Sequence, residues 1–234
     1  MNNVDTVIRT ERLSRIYRQG AVVVHALREV DFTCRRGEMV ALAGPSGSGK
    51  STLLNQLGTL DRPSAGRIAI AGVEVSDLGR TEAARFRLTH VGFVFQAYNL
   101  LPVLTAYENA EYTLLLQGVP LAKRQAIVMP LLERVGLAEQ CHRRPHELSG
   151  GQQQRVAVVR AIAPRPAFVL ADEPTANLDS DSSAALLDLL DELNQRDGLT
   201  FVLASHDAQV IGRARRVVRL RDGRVVADEA QETG

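Results

Sequence analysis

The chain has no tryptophan, two cysteines and few aromatics of any kind, 4% of the sequence. Cys34 and Cys141 lack C-x-x-C spacing, which argues against a zinc site or a disulfide framework and suits a reducing compartment. An excess of charge is also missing: 28 basic and 27 acidic residues leave a net charge of +1. That balance gives no electrostatic reason to expect nucleic acid as a partner. No run approaches the ~18 apolar residues that a membrane-spanning helix needs. The opening MNNVDTVIRTERL is charged from residue 5 onward and has no apolar h-region, so no secretory leader is expected. The expectation is a soluble, cytoplasmic chain without repeats, low-complexity tracts or long linkers. What is present, 45% apolar residues in 234, suffices for one large α/β core.

The most informative stretch is Gly44-Pro45-Ser46-Gly47-Ser48-Gly49-Lys50-Ser51, which fits G-x-x-x-x-G-K-S/T. Met39–Ala43 before it reads as a short buried strand, and Thr52–Leu57 after it as a helix. Glycines at 44, 47 and 49 open backbone angles closed to other residues and let amides approach an anion closely. The first helical turn adds partial positive charge there. Lys50 would reach the β- and γ-phosphates, and Ser51 would place its hydroxyl on Mg²⁺. With Thr52 completing the set, this implies a nucleoside triphosphate site.

Around this loop the pattern alternates. Val7–Tyr17 and Val22–Cys34, separated by Gly20, predict a small antiparallel sheet, which Gly66–Gly72 extends. Thr81–Leu88 has helical period with Thr81 as N-cap. Val91–Phe95 is a strand ending on Gln96. Residues 97–163 are mainly helical, with Leu121, Ala122, Val128, Leu131, Leu132 and Val135 marking an apolar face that Pro130 should kink or interrupt. Gly136 closes that helix. Strands Ala167–Ala171 and Leu199–Ala204 flank a helix over Ser180–Arg196, and a short helix follows Asp207. Val217–Leu220 and Arg224–Val226 flank Asp222-Gly223, a strong hairpin signal. Alternating strands and helices predict a mostly parallel sheet covered on both faces, with a helical insert near 97–163.

Two further stretches carry chemistry. Phe168–Ala171 is an apolar run ending in Asp172-Glu173. Alone the pair reads equally well as a solvated acidic turn before Pro174. Beside a P-loop, Asp172 would face the Mg²⁺ held by Ser51, and Glu173 would orient or deprotonate an attacking water. Leu148-Ser149-Gly150-Gly151-Gln152 reads as a loop opening a helix, with small residues that expose N-terminal amides to a second anion.

Those residues, LSGGQ, are the signature of the ATP-binding-cassette (ABC) ATPases, and the chain resembles an ABC ATPase subunit over essentially its whole length. The resemblance implies a single ABC ATPase domain over 1–234: a P-loop NTPase, RecA-like core with an antiparallel β-subdomain and a helical subdomain near 97–163. It implies that Tyr17 stacks on adenine and that Gln96 contacts Mg²⁺ and links the helical part to the core. Asp172 and Glu173 match the Walker B aspartate and catalytic carboxylate. Ala176–Asp179 match the D-loop, and His206 the switch histidine that senses the γ-phosphate. The resemblance implies a homodimer, or paired subunits, binding two ATP, in which Ser149, Gly150 and Gly151 of one chain clamp the γ-phosphate on the P-loop of the other.

A narrower likeness is to the MacB-type and lipoprotein-releasing (Lol) ATPases, carried by Tyr17–Gly20, Val24–Leu27, Val94–Pro102 and Glu108-Asn109. Ala176, Ala163-Pro164 and Gly58–Asp61, which lacks a common second glycine, depart from that group. The subgroup implies integral-membrane permease partners and a place on the inner face of the cytoplasmic membrane. The alternative is a membrane-associated regulatory ATPase of cell-division type that moves no substrate. The apolar run Ala97–Leu104 either plugs the insert's own core or, as the resemblance implies, receives a short helix of the membrane partner through Tyr98, Leu100 and Leu101.

Overall fold

A computed structural model describes residues 5–20 and 22–231. In chain order the strands are β1 (Thr6–Gln19), β2 (Val22–Arg35), β3 (Met39–Ala43), β4 (Ala65–Ile70), β5 (Val73–Glu74), β6 (Val91–Val94), β7 (Phe168–Asp172), β8 (Phe201–Ser205), β9 (Arg216–Arg221) and β10 (Arg224–Ala230). The helices are α1 (Lys50–Leu57), α2 (Arg80–His90), α3 (Ala106–Leu116), α4 (Leu121–Arg134), α5 (Gly150–Ile162), α6 (Ser180–Asp197) and α7 (Ala208–Arg213).

One sheet is antiparallel, in order β2-β1-β4-β5. The other runs β10-β9-β3-β8-β7-β6, parallel except for β10, which returns from β9 through the Asp222-Gly223 turn. Both turn residues have positive φ, 50° and 75°, as a tight two-residue hairpin requires. The central strands are apolar throughout because both of their faces are covered. Alternate residues of β3 serve different cores. Met39, Ala41 and Ala43 pack with α3 to α7, whereas Val40 and Leu42 pack with α1 and the antiparallel sheet. Helix α1 is therefore clasped between the two sheets by Leu53, Leu54 and Leu57, all buried. That clasp fixes the loop from which it springs.

Several boundaries differ from the sequence reading. Helix α2 starts at Arg80 with Gly79 as N-cap, not Thr81; the Glu82 carboxylate accepts the Gly79 amide at 2.9 Å, which supplies the missing capping group from inside the helix. Helix α4 continues through Pro130 without interruption. The ring occupies the exposed side, opposite the buried Val128 and Leu132. Leu121 and Ala122 are exposed and do not belong to that buried face. The expected strand at 66–72 stops at Ile70, because Ala71 and Gly72 both adopt positive φ and turn the chain into β5. Thr59 also has positive φ, 53°, which is costly for a β-branched residue. Arg87 of α2 holds it by donating to the Thr59 carbonyl at 2.7 Å.

Candidate functional site

The P-loop passes from β3 into α1 under tight steric limits. A Cβ on Gly44 would lie 2.2 Å from the Leu220 carbonyl oxygen, and one on Gly49 2.7 Å from that of Ala26. Both residues also have positive φ, 151° and 108°, so neither space nor backbone admits a side chain. The β9–β10 turn braces the loop, the Gly223 amide donating to the Ser48 carbonyl at 3.0 Å. Lys50 Nζ donates to the carbonyls of Gly44 and Pro45 at 2.7 and 3.1 Å. Its ammonium thus lies across the loop. Ser48 is 2% exposed, and its buried hydroxyl has no partner, so that side chain turns under the loop and only the backbone serves the cleft.

Three neighbouring parallel strands deliver their C-terminal residues beside the loop. Strands β3, β8 and β7 are consecutive in the sheet and end, respectively, at the P-loop, at Ser205-His206 and at Asp172-Glu173. Ser51 Oγ donates to Asp172 Oδ1 at 3.2 Å. Glu173 is gripped at both oxygens: Ser205 Oγ donates to Oε2 and His206 Nδ1 meets Oε1, each at 2.7 Å. An ionised carboxylate only accepts, so Nδ1 carries the proton toward it and Nε2 is left free. Glu173 has φ of 44°, a strained value for a residue other than glycine. Ser205 is fully buried and was not singled out from sequence; the signal was its position at the end of an apolar strand directly before His206.

The resulting cleft, about 930 Å³, is lined by Tyr17, Pro45–Gly47, Gly49–Thr52, Gln96, Glu173 and His206, with Val23 and Val24 as an apolar wall. The valines are further residues that the sequence reading missed. They sit on β2 opposite Arg18 and Tyr17, so the hairpin register brings them there. Burial pushes the Asp172 carboxyl above its usual range, more than the Ser51 hydrogen bond and Lys50 lower it. A desolvated carboxylate, a hydroxyl and a carboxamide at Asp172, Ser51 and Gln96 are hard oxygen donors, and they suit Mg²⁺, which takes few protein ligands beside phosphate and water.

Leu148–Gln152 lies outside this cleft. Leu148 is buried, Ser149 is exposed and caps α5, accepting from the Gln152 amide at 3.3 Å, and the Gln152 side chain accepts the Ser149 amide at 2.9 Å. The glycines also answer a packing need: a Cβ would approach Tyr98 Oη to 2.7 Å at Gly150 and Ser182 Oγ to 2.9 Å at Gly151. Tyr98 is turned inward, with its hydroxyl donating to the Asn177 carbonyl at 3.1 Å, while Asn177 Nδ2 donates to the Gln96 carbonyl at 2.9 Å. Asp179 caps α6 by accepting the Ser182 amide at 2.8 Å. Leu100 packs on the core, whereas Leu101 and Val103 are exposed. The apolar run is thus partly packed and partly exposed.

The ABC transporter family profile matches residues 27–176. The chain is 49% identical over 223 residues to the macrolide export ATP-binding/permease protein MacB of Rhodopseudomonas palustris, covering 95% of this chain and 34% of that protein. It is 42% identical over 227 residues to the lipoprotein-releasing system ATP-binding protein LolD of Pseudoalteromonas translucida, covering 97% of this chain and 98% of LolD. The chain therefore spans about a third of MacB and nearly all of LolD. Among solved structures, the ATP-binding cassette MJ0796, a dimer in a post-hydrolysis state bound to ADP and Pi, matches with a TM-score of 0.88 at 38% identity. That match covers 96% of this chain and 99% of the other. These relatives do not favour the cell-division alternative. With a P-loop, a Ser51–Asp172 pair and a gripped Glu173 in one cleft, the chain belongs to the ABC transporter family, as an ATPase cassette of the MacB/LolD group.

Proposed function

We propose that residues 1–234 act as a single ATPase domain, with 97–163 as its helical lobe, and that two copies close around two ATP molecules to drive membrane-embedded permease subunits. The observation that carries this reading is the convergence of the P-loop, Asp172 and the Glu173–Ser205–His206 cluster at three adjacent strand ends. In it the P-loop amides and Lys50 bind the phosphates, and Tyr17 takes the base. Ser51, Asp172 and Gln96 hold Mg²⁺, which when bound neutralises developing charge on the β- and γ-phosphates. Glu173, kept in place by Ser205 and His206, orients a water and accepts its proton. Ser149–Gly151 do not line the cleft, and in this reading they serve the site of a second copy; the similar MJ0796 cassette is a dimer.

The permease contact fits the exposed Leu101 and Val103, which follow Asn99 at the border of a groove of about 410 Å³ beside edge strand β6, a groove that Leu60, Leu88, Phe93, Phe95 and Leu116 also line. Apolar grooves of this kind accept amphipathic helices. Among the described residues no helix is long and apolar enough to cross a membrane, so attachment to the cytoplasmic face runs through the partner in this reading.

The test is Glu173→Gln, which keeps shape but removes the proton acceptor. The variant is expected to bind ATP, turn over at least about 10²-fold more slowly and shift to dimer with ATP. Light scattering that finds only monomer, alongside normal phosphate release, overturns the assignment.

A further inference from the structure

Tyr17 is held from behind. The Arg15 guanidinium lies over one face of its ring, 4.5 Å from the centroid. The Tyr17 hydroxyl donates to Asp61 Oδ2 at 2.8 Å. Arg15 closes the triangle with a two-pronged bridge to Asp61, Nε to Oδ2 at 2.7 Å and Nη2 to Oδ1 at 2.8 Å. Both charged side chains are about three-quarters buried, at 22% and 26% exposure. One face of the ring is thus covered, and the side chain still borders the cleft that holds Pro45–Gly47 and Gly49–Thr52.

Asp61 belongs to the loop that leaves α1, the helix of the P-loop. That loop is stitched on both sides. The amides of Leu60 and Asp61 donate to the Asn55 carbonyl at 2.9 and 3.3 Å, and Gln56 Nε2 donates to the Arg62 carbonyl at 3.2 Å. On the β1 side the Ser64 amide donates to the Ser14 carbonyl at 2.8 Å, and the Ile16 amide to Ser64 Oγ at 3.0 Å. Arg87 fixes Thr59 at the start of the loop.

We propose that Arg15 and Asp61 are positioning residues that orient Tyr17 as a nucleobase platform and hold it at a fixed distance from the P-loop. The proposal rests on the ATP-binding reading of the cleft. The physics is threefold. An exposed tyrosine on a strand samples several rotamers, and stacking immobilises it; fixing the ring beforehand removes that cost from binding. A cation on one face leaves only the other for a base, so the stack has a single geometry. Asp61 also occupies the guanidinium fork of Arg15, which keeps that cation from swinging toward the phosphates.

The experiment compares a ligand with a base and one without, using the full chain. Dissociation constants for ADP and for pyrophosphate are measured by calorimetry for wild type, Arg15→Met, Asp61→Asn, Tyr17→Phe and Tyr17→Ala, with melting temperatures alongside. Arg15→Met and Asp61→Asn are expected to weaken ADP roughly three- to tenfold and to leave pyrophosphate within about twofold. Tyr17→Phe, which keeps the ring and loses only the tether to Asp61, should show a smaller loss confined to ADP. It carries the test if either charged variant fails to fold. Unchanged ADP affinity in these variants overturns the proposal. So does an equal loss of pyrophosphate, which would mean that the triangle merely supports the P-loop. If Tyr17→Ala itself binds ADP normally, the base-binding reading of the cleft fails, and the proposal with it.

Discussion

At the scale of single residues, Asp172 stands in an environment that opposes its charge. Burial raises its carboxyl above the ordinary value, and Glu173 adds to that, while the Ser51 hydrogen bond and Lys50 act against it. A carboxyl with a raised folded-state value binds more protons folded than unfolded between the two values. Stability from this group therefore falls as pH rises from the ordinary carboxylate range through the raised one, and the penalty is complete above it. Asp172→Asn should accordingly raise the melting temperature of the nucleotide-free, Mg²⁺-free protein at pH 7.5, with a smaller gain at pH 4.5. Thermal melts at the two values check this. An equal gain at both would place the effect in packing rather than charge. The same substitution should weaken Mg²⁺-dependent nucleotide binding, since the charge that opposes folding is the one that suits a cation. Glu173 shows the same trade between stability and site geometry: its φ of 44° is held by the turn and by Ser205 and His206.

Among elements, the segment between β6 and α3 does two jobs with adjacent residues. Arg160 of α5 donates to the consecutive carbonyls of Asn99 and Tyr98 at 2.6 and 2.8 Å, both at residues with positive φ. Burial lowers its guanidinium's affinity for protons, which marks how much of the charge these two carbonyls must satisfy. The Tyr98 hydroxyl and Gly150 then meet, so Tyr98 belongs to the joint between α5 and the Asn177 turn. Changing it will disturb that joint as well as any partner. Leu101, 37% exposed, and Val103, 73% exposed, are the cleaner probes. Leu101→Glu should leave stability within about 0.5 kcal/mol of wild type and basal ATP hydrolysis intact. In the proposed reading it should reduce retention of the subunit on membranes containing the permease partner. Melting temperature, phosphate release and co-sedimentation are read together; a lowered melting temperature would instead assign Leu101 to the core of the helical lobe. Helices α3 and α4 share a brace, since Glu111 of α3 accepts from Tyr107 at 2.7 Å and from Arg124 of α4 at 2.8 Å.

On the scale of the whole molecule, the Ser149–Gly151 turn does not line the cleft of its own chain, and the proposed reaction calls on two chains. Lys50→Ala and Ser149→Arg should each abolish hydrolysis, the first by removing a phosphate-binding cation and the second by blocking the clamp. Mixed, they should regain activity. In a heterodimer one of the two composite sites pairs an intact P-loop with an intact signature, so steady-state phosphate release should rise above that of either parent. No recovery, with heterodimers shown by a pull-down through one tag, would sink the trans arrangement. An alternative in which each chain completes its own site predicts just that failure.

Much of this molecule is legible in its residue order because local chemistry dictates it. Only glycine admits the P-loop's backbone, only an all-apolar strand can lie between two cores, and Asp-Gly closes the last hairpin. The order of motifs likewise gave the family. What was not legible arises where distant segments meet. Ser205 grips Glu173 because β7 and β8 are neighbours, a pairing that spans a helix of the sequence. Arg15, Tyr17 and Asp61 form one triangle because the loop after α1 lies along β1, and nothing local in Gly58–Asp61 says so. Pro130 continues its helix because its ring faces outward, a matter of which side of α4 the core lies on. The sequence by itself determined the elements and the ligand-facing backbone, since those follow from dihedral limits and burial period. The tertiary structure alone decided which side chains brace the ones that face the cleft, because such contacts depend on strand order and register, and these are set by the packing of the whole.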